Sequence, residues 1–120
     1  MENENLKYIL VRTDGTYSIV EISDNDFLSQ TYKLLECEFI ETVPLLNNEL
    51  MICDEYGKLK PHRVNFLCSC LYQTVCGGDY MAGHVLIGKR VGCDIVGLTP
   101  DAINRYVTLL DMHGYENVCH

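Results

Sequence analysis

A chain of 120 residues, 48% of them hydrophobic, holds the core of one globular domain and leaves little room for a second. Seventeen acidic residues against nine basic ones give a net charge of −8, and the longest basic run is Lys89-Arg90. Such a surface repels phosphate backbones and anionic lipid, so direct nucleic-acid or membrane binding is not expected, whereas a basic partner suits it.

The N-terminal stretch MENENLKYILVRTDG puts acidic residues before a short apolar run, unlike the basic start of a signal peptide. No later segment approaches membrane-spanning length, so a cytoplasmic location is expected. In that reducing compartment the seven cysteines should be free thiols rather than disulfides. Residues 1–5 and 115–120 are expected to be flexible.

Residues 7–12 and 17–22 are apolar and β-rich, and the TDGT between them is an Asp-Gly turn signal, which predicts a β-hairpin. Ser23 then offers a cap, and Phe27, Thr31, Leu34 and Leu35 at helical spacing predict a helix over 24–36. Residues 37–43 alternate as a strand and stop at Pro44. The segment NELMICDEYGKLK reads as a strand, a turn with Gly57 in a left-handed conformation, and a short return strand. Val64, Leu67, Cys68, Leu71 and Val75 form a helical stripe that ends at Gly77-Gly78, predicting a helix over 62–76. AGHVLIG and CDIVG read as two more strands. Thr99 as N-cap, Pro100 at the first helical position and Gly114 as terminator predict a final helix over 99–113. The expected fold is a single α+β domain, ββαββαββα, with two or three helices packed on a largely antiparallel sheet.

Three cysteines and a histidine in NFLCSCLYQTVCGGDYMAGH raise the question of a metal site or a nucleophile. On a helix, Cys68 and Cys70 lie about 200° apart around the axis, and Cys68 and Cys76 about 12 Å apart along it. Neither pair closes a tetrahedral site, and the spacing lacks C-x2-C, so no metal is expected. Cys76 with His84 as base is the candidate for thiol catalysis. A helix C-terminus, however, is the negative end and holds a thiol protonated. Cys68 and Cys93 are read as packing. No catalytic or phosphate-binding motif is present, and no cofactor is expected. The densest polar set against apolar elements is Asp54, Glu55, Asn65, Ser69, Asp79 and His84. Buried polar groups must find partners in the chain or in a ligand, so this set is the candidate ligand- or partner-binding site. Within it, Asn65 and Ser69 are equally readable as ties that hold the adjoining loop.

The segments IETVPL, LMICDEYGKLK, the N-x-x-C-S-x-L of residues 65–71, DYMAGHVLIG and GLTPDAI resemble a small domain-of-unknown-function family, number thirty-eight forty-six. The resemblance spans about residues 39–110. Glu41, Asp54, Glu55, Gly57, Asn65, Ser69, Asp79 and Gly83 match its polar and glycine positions, and Cys68 stands where a small alanine is expected. The resemblance brings no activity with it. It implies an accessory gene of a phage, plasmid or conjugative element.

Two expectations of function follow. The first is a non-enzymatic binding protein that blunts a host defence by gripping a host protein or sequestering a nucleotide-like ligand, with a homo-oligomer as one possible assembly. The second is a small enzyme acting on a nucleotide-like substrate through Asp54, Glu55, Asn65 and His84. A buried constellation of those four around one cleft favours the enzyme, and dispersed side chains favour the binder.

Overall fold

The computed structural model describes residues 6–76 and 80–119, with the backbone alone for 73–76. Strands β1 (Lys7–Val11) and β2 (Thr16–Glu21) form the expected antiparallel hairpin, in register from Lys7 opposite Glu21 to Val11 opposite Tyr17. Gly15 turns at φ +86°, and the Asp14 carboxylate accepts from both the Thr16 N–H and its hydroxyl. A single 3-10 turn over Asp24–Asp26 leads into α1 (Phe27–Leu35), so the predicted helix starts three residues late. Ser23 makes no cap to the backbone; its hydroxyl points to Asp26 instead. Next come β3 (Ile40–Pro44), β4 (Glu49–Asp54), α2 (Phe66–Cys76), β5 (Val85–Val91), β6 (Asp94–Val96) and α3 (Pro100–Met112). Thr99 caps α3 by accepting from the Ala102 N–H, with Pro100 behind it, as the sequence predicts.

The strands form one sheet in the order β3-β4-β5-β1-β2, with β6 continuing alongside the far end of β5. All of these pairings are antiparallel. A two-residue strand β7 (Glu116–Asn117) adds a parallel edge beside β2 within the tail expected to be flexible. That tail is held by backbone bonds from Glu116 to Gly15 and from Val118 to Tyr17. The architecture is α+β, as expected.

Both faces of the sheet are covered, because successive strand residues point to opposite sides. Tyr8, Leu10, Val20, Leu50, Ile52 and Leu86 pack under α1 through Phe27, Leu34 and Leu35. Ile9, Val11, Met51, Val85 and Ile87 pack under α2 and α3 through Leu67, Cys68, Ile103, Tyr106 and Leu110. The central strand β5 therefore opens with the continuous buried run Val85-Leu86-Ile87 rather than an alternating one.

Four readings of the sequence are corrected. The chain after β4 makes no return strand; Gly57–Leu59 curl into a 3-10 turn, and Gly57 is absent from the positive-φ glycines. Glycine eases a close approach there, since a Cβ would stand 3.0 Å from the Ala82 carbonyl oxygen. Val64, read as the first position of the helical stripe, instead bridges Ala82 as an isolated strand pair before α2 begins at Phe66. Cys68 is fully buried in the core as expected, whereas Cys93 is exposed in the turn before β6 and packs nothing.

Gly88 in β5 lets the Tyr8 ring lie flat across the sheet, where an added Cβ would meet ring atoms at 2.8 and 2.9 Å. Gly88→Ala should therefore lower stability by about 1–3 kcal/mol in urea denaturation, as overpacking does. The cost should shrink in a Tyr8→Leu background. Equal costs in both backgrounds would show that the ring is not the obstacle.

Candidate functional site

The turn after β4, the start of α2 and the 81–83 segment meet: Gly57 lies against Ala82, and the Asn65 N–H donates to the Met81 carbonyl. What they bring together is mostly a set of backbone ties. Asn65 is 0% exposed. Its amide nitrogen donates to the carbonyls of Val11 and Gly83, both at 3.0 Å. Its carbonyl oxygen accepts from the Cys68 N–H at 3.3 Å, capping α2. Ser69 Oγ accepts from the Met81 N–H at 2.8 Å and donates to the Met81 carbonyl. These two side chains fix the 81–83 segment against α2.

Asp54 turns the other way, toward the α1 face. Its carboxylate accepts from the Tyr56 N–H at 2.9 Å, Lys60 Nζ at 2.7 Å and His62 Nε2 at 3.3 Å. Burial pushes its pKa up, but the bonds from Lys60, Tyr56 and His62 outweigh this and hold it below the usual carboxylate range. Glu55 is exposed. His84 is half-buried and accepts the Thr13 N–H on Nδ1 at 3.3 Å, which places its ring proton on Nε2. Asp79 and the side chain of Cys76 lie outside the described residues. Among the described residues, no group of three His, Cys, Asp or Glu side chains is placed to hold a metal ion.

Beside the 54–57 turn lies a polar cavity of about 170 Å³, lined by Glu41, Asp54, Glu55, Tyr56, Lys58 and Tyr80 among others, so two of the predicted site residues border it. Its rim is exposed and aromatic. Tyr56 stacks edge-on with Phe39 at 5.7 Å, the Lys58 ammonium sits 4.8 Å over the Tyr80 ring, and Leu59 is 83% exposed.

A second concavity, of about 400 Å³, was not foreseen. It lies between the 45–49 segment, Leu71 of α2 and the Arg105–Met112 side of α3. Its polar floor is Glu49, which accepts two bonds from the Arg105 guanidinium (3.1 and 2.6 Å) and one from the Tyr106 hydroxyl (2.6 Å). Burial raises the Glu49 pKa, but the bonds from Arg105 and Tyr106 prevail and lower it. Asn47 and Asn48, both near φ +61°, make the tight turn that projects Leu46 over this concavity. The Asn-Asn pair is the one sequence signal that marks the place. Glu49 and Arg105 are 56 residues apart and look like ordinary surface charges in a linear reading.

Two outcomes follow for the sequence-predicted residues. Asn65→Ala should lower stability by about 1–3 kcal/mol in chemical denaturation, because buried carbonyls and the α2 cap lose their partners. A variant that melts with the wild type would disprove the tie. For His84, burial holds the folded-state pKa below its ordinary value, with lesser contributions from nearby charges. The unfolded chain then binds the proton more readily, so this stability is complete above about pH 6.5 and is lost as pH falls from there through the folded value. His84→Gln should flatten the fall in stability between about pH 7.5 and 5.5. An unchanged slope would assign that fall to other groups.

No curated protein and no solved structure matches the chain significantly. A family model does match, over residues 6–111, which takes in the N-terminal hairpin beyond the segments that carried the resemblance. With all but the ends of its sequence inside that match, the chain belongs to the family described as Domain of unknown function (DUF3846).

Proposed function

We propose that this protein is a non-enzymatic binding protein, carried as an accessory of a phage or mobile element and acting in the cytoplasm, where it blunts a host defence by gripping a host protein. The observation that supports binding over catalysis is the dispersal of the four candidate catalytic groups. Asp54 is held by Lys60 and His62, Asn65 is buried on backbone carbonyls, Glu55 is exposed, and His84 is bonded to the Thr13 N–H. Asp54 and Glu55 both line the cavity beside the 54–57 turn, but Asn65 and His84 do not, so the four do not converge on one cleft as acid–base chemistry by that set requires.

The surface that suits a partner is the rim of Phe39, Tyr56, Leu59 and Tyr80 around Glu41 and Glu55. Exposed aromatic and aliphatic groups of this kind are characteristic of protein interfaces. The two carboxylates, in a chain of net charge −8, match a basic patch and disfavour a nucleotide phosphate. Leu59→Glu should leave stability within about 0.5 kcal/mol, as exposed substitutions do, and abolish counter-defence activity in a phage-protection assay. Native mass spectrometry of the complexes reads in the same material whether the chain acts as a monomer or a homo-oligomer. If Leu59→Glu keeps full activity while stable Asp54→Asn and His84→Gln variants lose it, the enzyme reading replaces this one.

A further inference from the structure

The concavity over Glu49 and Arg105 shares no lining residue with the cavity beside the 54–57 turn, and it has a different chemistry. Its volume of about 400 Å³ falls within the range of small-molecule sites, and Leu45, Leu46, Leu71, Leu109 and Met112 make its walls apolar. The polar group it presents is one-sided. Glu49 is the inner member of the ion pair, with 5% of its side chain exposed, while 50% of the Arg105 side chain is exposed. Both Glu49 oxygens are occupied, Oε1 by Arg105 and Tyr106 and Oε2 by Arg105. Arg105 has used two of its five N–H donors and carries no acceptor. Lys89 stands opposite Glu49 in the β4–β5 register and is a second cation near that carboxylate, outside the lining itself. A visitor therefore meets apolar walls and the outward N–H groups of Arg105, with Asn47 and Thr108 as further polar lining.

We infer that this concavity binds a small amphiphilic carboxylate, its hydrocarbon body lying on Leu45, Leu71, Leu109 and Met112 and its head accepting the remaining N–H groups of Arg105. A phosphate-sized dianion without an apolar body would leave those walls wet, and a neutral alkane would offer no acceptor to the N–H groups of Arg105 that Glu49 leaves over.

The test is a titration of the isotopically labelled full chain with octanoate and, separately, 1-octanol, followed by amide chemical shifts. Octanoate should produce saturable shifts at Leu46, Leu71, Thr108 and Met112, with 1-octanol at least about tenfold weaker because it lacks the charged acceptor. Met112→Asp, at an exposed position, should keep its melting temperature and weaken octanoate by about tenfold through like-charge repulsion. Removing Arg105 alone would strand the buried Glu49, so the paired variant Glu49→Gln/Arg105→Gln is used, and it should abolish the preference for octanoate over 1-octanol. Absence of saturable shifts, shifts centred elsewhere, or equal binding of acid and alcohol to the wild type would overturn the inference. So would saturation of the same residues by acetyl-Leu-Leu but not by octanoate, which would assign the site to a peptide C-terminus.

Discussion

One buried carboxamide joins three parts of this fold. Asn65 reaches the last residue of β1 through Val11, the 81–83 segment through Gly83, and the first turn of α2 through Cys68. The Cys68 N–H, in the first turn of α2, has no helix carbonyl to bond and is met by this side chain. A buried unpaired carbonyl or N–H costs roughly as much as a hydrogen bond is worth, so the side chain that meets three at once fixes their relative positions. Ser69, one helical turn further on, repeats the device on Met81. With the 81–83 segment pinned, the Ala82 carbonyl approaches the 57 turn so closely that a Cβ there would stand 3.0 Å from its oxygen.

From that junction the sheet organises the rest. β5 is the central strand, bonded to β4 on one side and to β1 and then β6 on the other. Its first residues are buried on both faces, which is why α1 can cover one side while α2 and α3 cover the other. The same two-sided cover separates the molecule's chemistry. Asp54 and its cation partners belong to the α1 side. Glu49, two residue pairs earlier in strand phase from Cys53, points with it to the α3 side and meets Arg105 there. Burying these carboxylates is tolerable because each is matched by a cation and further N–H or O–H donors.

The contrast between the two concavities is electrostatic as much as geometric. Near the 54–57 turn, exposed rings and the carboxylates Glu41 and Glu55 share one rim with Lys58. Over α3, the carboxylate is turned inward and the guanidinium outward, so an acidic protein presents a guanidinium to an apolar trough. Net charge describes the approach of partners from a distance; which pole of an ion pair faces a cavity describes what stays.

The amino-acid sequence by itself determined the local elements whose causes are local. The Asp-Gly turn and its flanking alternation make the first hairpin, and Thr99-Pro100-Asp101 start α3, because capping, proline geometry and strand pleat act within a few residues. It also marked residues at the meeting of the 54–57 turn, α2 and the 81–83 segment, since polar residues set among apolar ones must find partners somewhere. Which partners they find was decided only by the tertiary structure. Asn65 and Val11 are 54 residues apart, Glu49 and Tyr106 are 57 apart, and no periodicity links either pair. The glycine at 57 shows the same limit. Read locally it signals a left-handed turn, but what favours it is the Ala82 carbonyl arriving from another part of the chain. Long-range contacts arise where faces of finished elements meet, and the short-range pattern that builds each face carries no record of what it will meet.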